Sequence, residues 1–108
     1  TTDELIQIFM YELKCEQIGL YSVLQMGRED LEALLWRHFQ YDPWQQAELL
    51  LFIDRLKDAL SSDQDEDHFS AVEREAFQCA RQEALEQKVN NLTEHARVVE
   101  RRLEDLLV

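Results

Sequence analysis

Near the carboxyl end of the chain, apolar side chains recur at alternating intervals of four and three: Leu85, Val89, Leu92, Ala96, Val99, Leu103 and Leu106. An α-helix turns once every 3.6 residues. A stripe with a mean spacing of 3.5 therefore stays on one face only if the helix supercoils about a second helix. All of these residues except Ala96 are larger than alanine. Burying the larger ones at about 1.5–3 kcal/mol each gives on the order of 10 kcal/mol gross per chain. Left in water, they would leave this half of the helix frayed and marginal. The spacing thus predicts a coiled-coil homodimer with these seven residues at its interface. The competing expectation is that the stripe folds back onto helices of the same chain. With Val89 at heptad position a, Arg81 and Glu86 fall at g and e, as do His95 and Glu100. Both pairs attract across a parallel dimer.

No glycine or proline lies beyond Pro43. Ser70 and Glu73 form an S-x-x-E capping signature with Phe69 ahead of it as a possible staple. One helix of roughly 38 residues, about 57 Å long, is expected from there to the end. Phe69, Val72, Ala76 and Cys79 form a second apolar register, offset from the first, with the switch between Ala80 and Ala84. Residues 69–80 are therefore expected to pack on the chain's own bundle, and residues 85–106 on another chain.

The remainder reads as a small helical bundle. Leu5, Ile8, Phe9 and Leu13 mark an amphipathic helix from about Thr2 to Glu16, with Asp3 and Glu4 at its positive end. Gly19 is expected to break it. A short helix through Leu20, Val23 and Leu24 should stop at Gly27. A third helix should run from Arg28 to about Gln40 on Leu31, Leu34, Leu35 and Phe39. Asp42-Pro43-Trp44-Gln45 combines a capping residue, a first-turn proline and a capping-box glutamine. It should open a helix reaching about Ser61, apolar nearly all round its middle and so central to the bundle. The expected fold is all-α. Residues 1–60 form a helical bundle head, 61–68 an acidic linker and 69–108 a long coiled-coil helix.

Composition narrows the function. The chain carries 11 Lys+Arg against 23 Asp+Glu, a net charge of −12, shared between both halves. Such a surface repels phosphate backbones and anionic lipid, so neither nucleic acid nor a membrane is an expected partner. The longest apolar run, Leu49 to Ile53, is far too short to span a bilayer. The acidic start is unlike a targeting peptide. A chain without an initial Met that stops within its own pattern reads as a segment of a longer protein. Cys15 and Cys79 match no zinc or redox spacing and suit a reducing, cytoplasmic setting.

Residues that could carry chemistry are few. His38, His68 and His95 lie in separate elements without metal-spaced partners. No nucleophile elbow or glycine-rich phosphate loop is present. No catalytic residue, cofactor or metal is therefore expected. Asp63, Asp65 and Asp67 repeat the first ligand positions of an EF-hand loop. His68 stands where that loop needs glycine, and Arg74 where it needs a bidentate glutamate. A degenerate calcium-responsive module is the alternative reading.

Trp36, Tyr41 and Trp44 gather at the turn between the third and fourth helices, as a binding hot spot or as a packed corner. Trp36, Phe39 and Trp44 are the expected lining of a groove for a partner helix or peptide. A helical head feeding a coiled coil is similar in layout to cytoskeletal, trafficking and signalling adaptors. The expected function is accordingly a non-enzymatic adaptor or scaffold that self-associates and binds a protein partner.

Overall fold

The computed structural model describes residues 2–62 and 69–107. Among them the chain is all-helical, without a strand. The order is α1 (Thr2–Cys15), α2 (Leu20–Gln25), α3 (Arg28–Ala33), a π-helical turn continuing α3 (Leu34–His38), α4 (Pro43–Ser61) and α5 (Ala71–Leu107).

α1 buries Leu5, Ile6, Phe9 and Leu13 on one stripe. Ile8, expected on that stripe, is instead half exposed. The helix ends without using glycine. Gln17 takes the left-handed conformation (φ 58°), and Ile18 donates its backbone N–H to Leu13 at 2.9 Å. Gly19 instead sits at the N-cap of α2 in extended geometry. Gly27 likewise precedes α3 in extended conformation rather than closing α2 in a left-handed one. Both glycines therefore mark helix starts, where the sequence suggested stops.

The third helix does not run evenly to Gln40. Its last stretch widens into a π turn, in which Phe39 N–H reaches Leu34 carbonyl at 3.0 Å and Tyr41 N–H reaches Leu35 carbonyl at 2.9 Å. Gln40 then takes a positive φ of 59°. The wider turn lets Leu35, Phe39 and Tyr41 all face inward. Phe9, Phe39 and Tyr41 meet edge-to-face with ring centroids 6.1–6.3 Å apart, a favoured aromatic geometry.

α4 begins as its sequence demands. Asp42 Oδ1 accepts from Gln45 N–H at 2.8 Å, and Gln45 Oε1 accepts from Asp42 N–H at 3.1 Å. This reciprocal cap satisfies two donors the helix end would otherwise leave open. The buried side of α4 is Leu49, Phe52, Ile53, Leu56 and Ala59. Leu51 is exposed, so the helix is central on one side only.

α5 joins the head by its first third. Its core-facing residues are Glu73, Ala76, Phe77 and Ala80, whereas Val72 and Cys79 lie half-buried at the edge. Two alanines at the centre let the helix approach α1 and α2 closely, which moves the packed stripe away from the register of Phe69, Val72 and Cys79. Phe69 stacks on Phe77 at 6.0 Å, and the Arg55 guanidinium lies 5.4 Å over the Phe69 ring. Ser70 Oγ accepts from Glu73 N–H at 3.2 Å and donates to Asp3 at 3.1 Å. One hydroxyl thus caps α5 and ties it to α1. From Leu85 to Leu107 every residue of α5 is exposed. The helix leaves the head there and extends a further 34 Å or so at 1.5 Å per residue.

Candidate interaction surfaces

Glu83 fixes where α5 stops belonging to the head. α2 has no side-chain cap of its own, because glycine occupies the N-cap. Glu83 Oε2 supplies one from across the bundle, accepting the Tyr21 N–H at 2.7 Å. A carboxylate against a helix N-terminus is favoured both as an acceptor and by the helix dipole. The approach is close. A Cβ on Gly19 would lie 3.2 Å from the same oxygen, so glycine leaves room for the cap. Cys79 Sγ donates to the other Glu83 oxygen at 3.6 Å. Burial, and then the charge and hydrogen bond of Glu83, push this thiol above its ordinary range. A thiol held protonated is a poor nucleophile.

Beyond Glu83 the apolar stripe changes sides. Leu85, Val89 and Leu92 point about 140° around the helix from the Glu73, Ala76, Phe77 and Ala80 face, at 100° per residue. Leu85, Val89, Leu92, Val99, Leu103 and Leu106 are 54, 60, 68, 41, 55 and 82% exposed, and Ala96 is exposed too. From Val89 onward the seam residues therefore line up on a free-standing helix, whereas Leu85, at its root, still borders a cleft against α2 and the end of α4. Val98 and Leu107 are also exposed but fall outside the four-three pattern.

The aromatic corner separates into an inner and an outer part. Tyr41 belongs to the core cluster, and Phe39, partly buried, packs against it. The Tyr41 hydroxyl donates to Glu12 at 2.6 Å, and its carbonyl accepts from Gln46 at 2.8 Å. Burial, then the bond and charge of Glu12, push the phenol far above its usual value of 10.0. Trp36 and Trp44 stand outside, 61 and 74% exposed. Trp36 lines shallow clefts with Arg37 on either side of the π turn, one toward Glu29 and Glu32, the other toward Pro43. Trp44 and Phe39 line neither. These two clefts therefore join Trp36 to the turn and to Arg37 rather than to Phe39 or Trp44. On α4, Trp44, Ala47 and Leu51 share an exposed side at helical spacing. Sequence reasoning passed over Leu51 because its neighbours made that segment look wholly buried.

Two clefts flank α5. One, about 420 Å³, opens between α1 and α5 and is largely apolar, with Met10, Leu13, Ile18, Leu20, Val72 and Ala76 in its walls. The other lies between α2, the end of α4 and α5, where Lys57, Arg81 and Lys88 surround Leu24, Leu60 and Leu85.

Among the described residues no group of three His, Cys, Asp or Glu side chains could hold a metal ion. Asp63, Asp65, Asp67 and His68, on which the EF-hand resemblance rests, lie outside the described residues. Among the described residues no helix is long and apolar enough to cross a membrane. Scans against protein-family models, curated proteins and solved structures find no match to this chain.

Proposed function

We propose that this chain is a non-enzymatic adaptor or scaffold segment. Two copies pair in parallel through Leu85, Val89, Leu92, Ala96, Val99, Leu103 and Leu106, and so present two heads together. The observation that carries the reading is the exposed seam on a helix whose head-bearing side points elsewhere. A second helix can lie along the seam without displacing the head. Burial of the seam supplies the stabilisation that a lone helix of this length lacks. Two heads on one stalk raise avidity for a repeated or dimeric partner without any new contact.

The proposed partner surface of the head is the outer side of the aromatic corner. Trp36 and Trp44 act as anchors, and Phe39, packed on Phe9 and Tyr41, holds the corner that carries them. The occupant we propose is an amphipathic helix or peptide with basic flanks, because Glu29, Glu32 and Asp42 outnumber Arg37 in the clefts beside Trp36, in a chain of net charge −12. A reducing, cytoplasmic setting suits two free cysteines.

Sedimentation equilibrium at tens of micromolar tests the pairing. The expected result is a dimer for the wild type and a monomer for Leu92→Asp. A monomeric wild type would remove the reading. For the head, Trp36→Ala with Trp44→Ala should leave the dimer intact and abolish binding to basic amphipathic peptides. Undiminished binding would exclude this surface.

A further inference from the structure

We infer that the cationic cleft at the root of the free helix is a socket for a second copy of this chain. It seats the Glu86 carboxylate of that copy and sets the two helices parallel. The inference rests on the pairing proposed above.

The chain has 11 basic residues against 23 acidic ones. Three of those basic residues, Lys57, Arg81 and Lys88, nevertheless line one cleft, and no Asp or Glu lies among the residues that line it. Among the described residues no carboxylate forms an ion pair with any of the three. Like charges gathered at one place repel unless an anion joins them. The cleft is continuous with the seam, because Leu85 is both one of its walls and the first seam residue. A helix laid along the seam passes its mouth.

Heptad position identifies the anion. With Val89 at a, the g positions are Arg81, Lys88, His95 and Arg102, so every g residue is basic or histidine. The e positions are Glu86, Thr93, Glu100 and Leu107. In a parallel pair each g side chain meets the e side chain five residues further along the other helix. Arg81 then meets Glu86 of the second copy, with Lys57 of the head beside it, and His95 meets Glu100. In an antiparallel pair g meets g and e meets e. That places cations against cations and Glu86 on the same edge as Glu100. Parallel pairing thus turns a repulsive cluster into a bound carboxylate, twice per dimer by symmetry. Lys57 is the informative residue, since it belongs to α4 and has no place in a coiled coil of α5 alone.

The test is sedimentation equilibrium at low salt on the full chain, with circular dichroism to establish folding. Lys57→Glu and Glu86→Lys should each raise the dimer dissociation constant about tenfold, and the double variant should recover most of the loss. Lys57→Gln, which carries no reversed charge, should show a smaller loss in the same direction. With Cys15→Ser and Cys79→Ser, Leu106→Cys should form a disulfide between copies, because only parallel helices bring these ends together. The inference is overturned if Lys57→Glu binds within about twofold of wild type, if the double variant fails to recover, or if the disulfide does not form in a persisting dimer. Tight binding of a Glu-rich peptide to monomeric Leu92→Asp, lost on Lys57→Glu, would assign the cleft to a foreign acidic segment instead. A dimer that survives Leu92→Asp, or a wild type that is monomeric throughout, would fail the pairing itself.

Discussion

Tyr41 holds its corner through three groups at once. Its ring packs on Phe9 and Phe39, its hydroxyl donates to Glu12, and its carbonyl takes the Gln46 amide. The fold favours the protonated phenol, since burial and Glu12 raise its pKa above the ordinary 10.0. The stabilisation is therefore complete below pH 10 and is lost as pH climbs beyond it. Thermal melts of wild type should fall steeply above that pH, and those of Tyr41→Phe less so. Equal slopes would mean that the phenol is not coupled to folding. Glu83 allows a second measurement. Glu83→Ala removes the cap of α2 and should cost about 1 kcal/mol in urea unfolding. It should also let Cys79 react faster with iodoacetamide, although exposed Cys15 should remain the faster of the two. Neither role was legible in the sequence. Glu83 looks like a surface acid by charge pattern and Glu73 like half of a capping box, yet Glu73 is buried beside Arg55 with Oε2 2.9 Å from Nη1, and Glu83 caps a distant helix. The Arg55 pair is close but not aligned as a hydrogen bond. With Arg55 half exposed, solvent screens much of its attraction.

The elements follow their local chemistry wherever that chemistry is complete within a few residues. The box at Asp42 is such a case, and Asp42→Ala should lower head stability by about 1 kcal/mol with no change in pairing. The existence of α1, α4 and α5 was legible for the same reason, and so was Ser70 as a cap. The π turn was not, because nothing in Leu34 to His38 departs from an ordinary amphipathic repeat. Only the demand for Leu35, Phe39 and Tyr41 to pack together widens it. The register of α5 was legible in part. The offset near Ala80 was foreseen, but small Ala76 and Ala80 concealed how far the packed side would turn toward Phe77. Phe77→Ala should destabilise the head by about 3 kcal/mol or more. Leu92→Asp should leave head unfolding unchanged while shifting the mass toward a monomer. If both variants lowered head stability equally, α5 would be one cooperative unit rather than two regions with separate duties.

For the whole molecule, dimensions state the case. The Cα radius of gyration is 17.7 Å and the extents are 63 × 34 × 22 Å. A compact domain of this length would have a radius near 13 Å. The excess belongs to the free part of α5. A chain ending at Ala84 should remain folded and shrink to about 12 Å by X-ray scattering. A truncated chain that loses its helicity would show instead that the head depends on the stalk. The overall plan, a head and a long helix, was legible because periodicity and the lack of breakers are long-range signals. The positions of Trp36 and Trp44 at the surface were not, since aromatic residues near a turn fit a core and an exposed surface equally well.

α5 crosses from the head into open solvent without a proline, a glycine or a change of helical type. It therefore has no elbow. A twist or pull applied at Leu106 reaches Ala76 through one continuous rod, and from there it acts on α1 and α2 directly. Such a molecule holds its head at a set distance and angle from the far tip, as a rigid strut does and a tether cannot.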